Sequence, residues 1–259
     1  MKLRYDEALG QIDFYKIHPE YLPFVGNNFD EFRVLHVGES HYIGQCDDYA
    51  PFDLRYFDKW WTDHCDEVYK EQDGKPETKC WGSWYDTRAV VGRFLKWNQS
   101  NYSIFLNMIR AFDEAVGGLA TCDDEKQKYH YFAFMNFFQM PSLYQGISFE
   151  DSLYKAAKET DDPAAAYTRA VEESCAVLDK VIEILQPNAI VFTSKAAYKA
   201  YCNHKGEKAK QDSRIINTVH PCCSWWNRKH GNDHLTGRER LEQKLRECLL
   251  KNNRFRLSV

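Results

Sequence analysis

The chain has no long hydrophobic run. Its apolar stretches are much shorter than the roughly 18 residues that a membrane-spanning helix needs. The first residues, Met1–Leu9, are polar and amphipathic and lack the apolar segment of a signal peptide. We therefore expect a soluble, cytoplasmic protein.

Cysteine pairs with the C-x-x-C spacing are also absent. The nine cysteines form an odd set, which fits the reduced thiols of an intracellular protein better than a disulfide framework. Cys46, His64, Cys65 and Cys80 are residue types that bind zinc, but their spacing is wider than that of zinc motifs. We expect free thiols and no metal.

Neither sign of charge is in large excess. The chain has 34 Lys and Arg against 38 Asp and Glu, a net charge of -4. This balance argues against bulk adhesion to nucleic acid but allows a local basic patch. Hydrophobic residues make up 44% of the 259 positions, enough for a substantial core, and no internal repeat is present. We expect one domain over residues 1–259 and a monomer.

Four short apolar runs predict β-strands, because each is rich in Val, Ile or aromatic residues and ends in a polar residue or Gly. The predicted strands are Phe32–Val37, Tyr131–Phe137, Ala189–Thr193 and Arg214–Val219. Helical patterns separate them. This alternation favours a three-layer α/β/α sandwich with a mostly parallel central sheet.

The predicted helices have clear start and end signals. Asp162-Pro163 begins a helix that Pro187 ends, and Thr236 to Glu239 forms a capping box before the last helix. A further apolar stripe, between Ile104 and Val116, ends at Gly117-Gly118.

The segment 45–97 fits the alternation least well. It is polar, rich in Asp and aromatic, with Trp60, Trp61, Trp81 and Trp84 and no clear period. Two interpretations stay open for this loop-rich insertion: a wall or lid of a site, or an aromatic cluster under a long loop.

Polar side chains follow three of the predicted strands. Gly38-Glu39-Ser40-His41-Tyr42 follows the first strand, Asn136 closes the second, and His220-Pro221 follows the last. In an open parallel sheet, ligands bind outside the carboxyl ends of the strands, so these residues can share one site. Taken singly, a turn-forming Asn and a loop-capping His are the simpler interpretations. The order of the three features gives them more weight together.

That order resembles the uracil-DNA glycosylase superfamily. Val37-Gly38-Glu39-Ser40 is similar to the first motif of members that carry Gly-Glu-Ala-Pro-Gly. Met135-Asn136 is similar to the base-reading asparagine, and His220-Pro221-Cys222-Cys223 to the His-Pro-Ser-Pro motif. The resemblance implies a three-layer sandwich and an enzyme that flips a base out of DNA and cleaves its N-glycosidic bond.

The resemblance also implies roles for individual residues. Glu39 would stabilise the sugar cation or orient water, His220 would stabilise the charge on O2 of the departing base, and Asn136 would read its Watson–Crick edge. Phe52, or alternatively Tyr42, would stack on the base. The remaining motif residues would line the substrate site: Gly38, Ser40, Pro221 and Cys222.

The loop after the last motif, Ser224 to His230, would fill the gap left by a flipped base. It combines aromatic and basic side chains, which suit insertion between bases and contact with phosphates: Trp225, Trp226, Arg228 and Lys229. A Trp pair packed on the last helix is the alternative.

The chain departs from the family pattern at Ser40-His41, which replaces Ala-Pro or Asp-Pro. His41 can act as an acid or base, because the ordinary pKa of histidine lies near neutrality. Members of the Gly-Glu-Ala-Pro-Gly type hold an iron–sulfur cluster through cysteines that begin with a pair near the amino terminus. This pair is absent, so we expect no cofactor. The expected partner is DNA, single- or double-stranded, or a nucleobase or nucleotide.

Two other functions are compatible with these residues. The first is an inactive module of the same fold that binds a nucleotide or nucleic acid. The second follows from Gly38-Glu39-Ser40-His41, which also resembles the Gly-Glu-x-His signature of the erythromycin-esterase-like and haem-binding lipoprotein families. That resemblance implies a hydrolase or a haem-binding protein.

Overall fold

A computed structural model of the chain describes residues 3–42, 54, 57–63, 86–96, 102–118, 122, 124–144 and 146–251. A five-stranded sheet lies at its centre. Its strands are β1 Phe24–Val25, β2 Val34–Gly38, β3 Phe132–Asn136, β4 Ala189–Phe192 and β5 Ile215–Asn217. Their order across the sheet is β1-β3-β2-β4-β5. β1 is antiparallel to β3 and all other neighbours are parallel, which confirms the mostly parallel sheet.

The α-helices surround this sheet. In chain order they are α1 Asp6–Leu9, α2 Asp13–Ile17, α3 Phe29–Phe32, α4 Phe57–Trp60, α5 Thr87–Lys96, α6 Ser103–Ala115, α7 Phe149–Ala156, α8 Pro163–Leu185, α9 Lys195–Lys205, α10 Glu207–Gln211 and α11 Gly237–Lys251. Short 3-10 turns cover Leu3–Tyr5, Pro19–Tyr21, Glu125–Tyr131 and Ser224–Trp226.

Helices pack on both faces of the sheet. Alternate residues of a strand point to opposite faces, so Leu35 and Val37 join one apolar cluster while Val34 joins another. The first cluster contains the buried side chains of α8 and α9. The second contains those of α5, α6 and α11. The fold is therefore an α/β sandwich with a layer of helices on each side.

The helix ends follow the sequence signals. Asp162 Oδ1 accepts a hydrogen bond of 3.0 Å from the Ala165 backbone N at the start of α8. In the capping box of α11, the Thr236 backbone N donates to Glu239 Oε2 at 2.7 Å, and the Glu239 backbone N donates to Thr236 Oγ1 at 3.1 Å. Both predicted helix starts are confirmed.

Part of the aromatic insertion is described. Trp60 and Trp61 are buried, and Trp60 Nε1 donates to the Gln139 carbonyl at 2.8 Å. For these two residues the structure favours an aromatic cluster packed in the core. Trp81, Trp84 and the predicted stacking residue Phe52 lie outside the described residues.

Within the described ranges, no helix is long and apolar enough to cross a membrane. The described cysteines are free thiols, and no group of three potential metal ligands occurs among the described side chains. The metal candidates Cys46, His64, Cys65 and Cys80 lie outside the described residues.

Candidate functional site

The carboxyl ends of the parallel strands bring the three sequence features to one edge of the sheet. Gly38 on β2 lies directly opposite Asn136 on β3. β4 continues this edge on the other side, where the Thr193 backbone N donates to the Val37 carbonyl at 3.0 Å. β5 ends at Asn217, and His220 follows three residues later. The edge predicted from the sequence therefore collects Glu39, Asn136 and His220.

Gly38 allows a close approach of the Asn136 side chain. A Cβ atom at position 38 would overlap Asn136 Oδ1, closer than real Cβ contacts lie, and would also touch the Phe134 ring. Asn136 is 7% exposed, and its Oδ1 lies against Gly38. An amide fixed in this way can offer a donor and an acceptor to a ligand.

We expect Gly38→Ala to lower the free energy of unfolding by about 1–3 kcal/mol, since the added methyl group overpacks a buried strand end. It should also move the Asn136 amide. Urea denaturation measures the stability change. Gly92→Ala on α5 is the matched control, because nothing lies within 4 Å of a Cβ at that position. A Gly38→Ala protein as stable as the Gly92→Ala protein would contradict the close approach.

Glu39 is held between the starts of two helices. Its Oε1 accepts a hydrogen bond of 2.9 Å from the Phe149 backbone N, the first residue of α7. Its Oε2 accepts one of 2.6 Å from Ser194 Oγ, the N-cap of α9. These bonds fix the orientation of the carboxylate, and the positive ends of the two helix dipoles favour a negative charge there.

His220 is oriented by its own turn. Its Nδ1 accepts a hydrogen bond of 3.2 Å from the Cys222 backbone N. An Nδ1 that accepts carries no proton, so the neutral ring carries its proton on Nε2. The ring keeps accessible surface, yet surrounding protein atoms bury it enough to lower its pKa.

Glu39 and His220 share one electrostatic environment. Burial lowers the pKa of His220, and the charge of Glu39 opposes this shift. Burial and, secondly, Glu39 raise the pKa of Tyr42. Burial, then Glu150, then Glu39 raise the pKa of Tyr167 on α8 to about 12. The charge of Glu39 therefore acts on the pKa of the imidazole and of both phenols.

The structure gives the other first-motif residues different environments. Tyr42 is at the surface, and its backbone forms an isolated parallel β-bridge with that of Ser142. The Ser40 hydroxyl is buried and has no hydrogen-bond partner among the described side chains and backbone. His41 is 5% exposed, its Nε2 lies 2.9 Å from Thr87 Oγ1, and burial and then Arg93 lower its pKa to about 3. The burial and contacts of the His41 ring favour a structural role over the predicted catalytic one.

Residues of the last motif are anchored to α6. The Pro221 carbonyl accepts a hydrogen bond of 2.7 Å from Asn107 Nδ2. Cys222 is exposed, and its Sγ lies 3.0 Å from Ser103 Oγ. These contacts hold the turn that carries His220.

The predicted DNA-contacting loop needs one correction. Trp226 is 1% exposed and belongs to the second apolar cluster, so it packs in the core and its side chain does not form a surface wedge. Trp225 is 52% exposed, and Arg228 and Lys229 are also exposed. Packing is therefore confirmed for Trp226, and contact of Trp225, Arg228 and Lys229 with DNA stays a prediction.

Three parts of the site are not predictable from the sequence: Ser194, Tyr167 and the start of α7. Ser194 is recognisable as an N-cap residue in front of α9, but nothing in the sequence indicates that its hydroxyl reaches Glu39, 155 positions away. Tyr167 stands on a helix whose apolar pattern predicts packing alone.

The site thus combines a fixed carboxylate, a neutral imidazole that carries its proton on Nε2 and a side-chain amide at one edge of the sheet. These groups can stabilise a cation, donate to a developing oxyanion and recognise a polar planar ligand. The chain matches no protein-family model, no curated protein and no solved structure. Any functional assignment therefore rests on the chemistry of the site itself.

Proposed function

We propose that the protein is a divergent DNA N-glycosylase of the uracil-DNA glycosylase superfamily that excises uracil or a related damaged base. The observation that supports this best is the position of Glu39, Asn136 and His220 at or after the carboxyl ends of three parallel strands of one sheet. The two groups can act on opposite partial charges of one breaking bond.

The reaction is a hydrolysis of the N-glycosidic bond. As this bond breaks, its electron pair goes to the base and positive charge develops on the sugar. The His220 Nε2–H stabilises the charge on the base O2, and the Glu39 carboxylate faces the sugar cation or orients water. Water then supplies a hydroxyl group to the sugar and a proton to the base. Asn136 recognises the base edge, and Phe52, or alternatively Tyr42, stacks on it.

The test is an incubation of the protein, without added metal, with labelled single- and double-stranded oligonucleotides. Each carries one uracil or another deaminated or oxidised base, and abasic sites are scored. We expect cleavage of at least one substrate by the wild-type protein and its loss on substitution of Glu39. No abasic sites with any substrate would overturn the enzymatic proposal.

A catalytically inactive binding module is the second candidate. It is favoured by one observation: both oxygens of Glu39 already accept hydrogen bonds from the protein, at 2.9 and 2.6 Å. A carboxylate in this position can serve only to connect the starts of α7 and α9. Oligonucleotide or nucleobase binding without cleavage would support this candidate.

The geometry gives less support to a hydrolase or haem-binding function of the Gly-Glu-x-His type. His41 would have to face a ligand together with Glu39. Its ring is instead buried beside Thr87 and Tyr21. The proposed function therefore assigns the chemistry to His220.

Exposed Arg228 and Lys229 predict a salt-dependent contact with DNA. Each lost phosphate contact should reduce the slope of log K against log[salt] by about 0.9 on duplex DNA and about 0.7 on single strands. We expect this change in Arg228→Ala and Lys229→Ala, measured by fluorescence anisotropy. Lys180→Ala is the control, because Lys180 is exposed on α8, whose apolar residues pack on the other face of the sheet. Equal slopes in all proteins would contradict the contact.

A further inference from the structure

His36 is a buried polar residue in the middle of the apolar strand β2. Its exposure is 0%, and both ring nitrogens have partners. Nδ1 lies 2.7 Å from the Tyr129 hydroxyl oxygen, and Nε2 lies 2.9 Å from Thr193 Oγ1. Burying an imidazole is unfavourable unless its hydrogen bonds are made. In the structure both ring nitrogens of His36 make a hydrogen bond.

The Thr193 hydroxyl group determines the direction of both hydrogen bonds. Thr193 Oγ1 donates to the Val37 carbonyl at 3.2 Å, so it accepts from His36 Nε2–H. The His36 Nδ1 is then unprotonated and accepts from the Tyr129 hydroxyl. Burial and, secondly, the nearby His220 lower the pKa of His36 to about 3. The neutral ring therefore completes one directed chain from Tyr129 to the backbone of β2.

His36 contacts a residue near Asn136 on one side and a residue next to the Ser194–Glu39 pair on the other. The centroid of the His36 ring lies 4.9 Å from the centroid of the Phe134 ring. The Phe134 ring is the one that a Cβ atom at Gly38 would touch. On the other side His36 binds Thr193, which precedes the Ser194 that holds Glu39. An aliphatic residue would suit this apolar position, so a satisfied polar residue there indicates a requirement for specific geometry.

We propose that His36 is a positioning residue that fixes the Ser194–Glu39 pair at the end of β4 relative to Asn136 at the end of β3. This role deepens the proposed glycosylase function. Its geometric part can be tested without any activity.

The test uses three variants. His36→Leu leaves the Tyr129 and Thr193 hydroxyls buried without a partner, which destabilises the fold. The triple variant His36→Leu, Tyr129→Phe, Thr193→Val removes all these polar groups together, so the fold is retained. In His36→Gln, the side-chain amide can still donate to Thr193 Oγ1 and should restore the geometry in part.

Native-state hydrogen exchange of two amides measures the geometry. The Phe149 amide donates to Glu39 at 2.9 Å and the Ala197 amide to Ser194 at 3.2 Å. We expect their protection to fall by about tenfold in the triple variant, and by less in His36→Gln. The Ala165 amide, which donates to Asp162 at 3.0 Å, is the control. Unchanged protection at Phe149 and Ala197 would overturn the positioning role.

Kinetics separate this inference from the proposed function. If the wild-type protein cleaves DNA, kcat of the triple variant should fall by about 10²-fold with little change in KM, since the catalytic group is displaced and the binding surface is kept. Wild-type kcat in a triple variant of wild-type thermal stability would also overturn the role. If the wild-type protein does not cleave, the exchange data still decide on the geometry while the glycosylase proposal fails.

Discussion

Replacing Glu39 with Gln is expected to lower kcat for base excision by about 10²–10⁴-fold. The substitution keeps the size of the side chain and its acceptor for the Phe149 amide, but it removes the negative charge. Ser194 can adapt, because its hydroxyl rotates and has a second acceptor site. The loss should therefore appear in kcat for abasic-site formation, with an unchanged fold by circular dichroism.

Glu150→Gln is the matched control for this result. Glu150 follows Phe149 directly, is exposed, and acts on the same phenol of Tyr167 as Glu39 does. Glu150→Gln removes one negative charge, as Glu39→Gln does, but it alters no residue of the proposed mechanism. Comparable losses in both variants would indicate a general electrostatic effect, and full activity of Glu39→Gln would remove Glu39 from the mechanism.

His220→Ala should lower kcat by about 10²–10³-fold, the usual effect of removing one donor to a developing oxyanion. The reason is the bond from the Cys222 backbone N to His220 Nδ1, which leaves Nε2–H to face the ligand. Single-turnover cleavage measures the chemical step directly. His204→Ala, on the exposed side of α9, is the control, and equal rates in the two variants would contradict the assignment.

The pH dependence tests the protonation state of His220 separately. Burial holds its pKa below the ordinary 6.5, so the ring stays neutral as the pH falls through 6.5. Protonation at lower pH places a proton on Nδ1, which then no longer accepts from the Cys222 amide. We expect the acidic decline of kcat to have its midpoint below pH 6.5, the ordinary pKa of a histidine.

Much of the sheet could be predicted from the sequence, because its strands are short segments rich in Val, Ile and aromatic residues that end in a polar residue or Gly. The four predicted strands overlap β2 to β5. β1 was missed because two residues, Phe24 and Val25, give no readable period. Helix starts at Asp162 and Thr236 were predictable, since capping depends on residues three or four positions apart.

The candidate site was only partly predictable. Strand ends gave Glu39, Asn136 and His220, because the topology of a parallel sheet brings such ends together. The hydroxyl of Ser194 and the chain from Tyr129 through His36 depend on contacts between distant segments, for which a single sequence carries no signal. Trp226 was misplaced for a related reason: an aromatic residue in a basic loop looks like a surface residue until the packing of α11 is known.

The position of Glu39 has a mechanical consequence. One carboxylate joins the first residue of α7 to the N-cap of α9, two helices that begin 46 positions apart in the chain (195 − 149). A group that competes for these oxygens would therefore remove a hydrogen bond from the start of both helices at once.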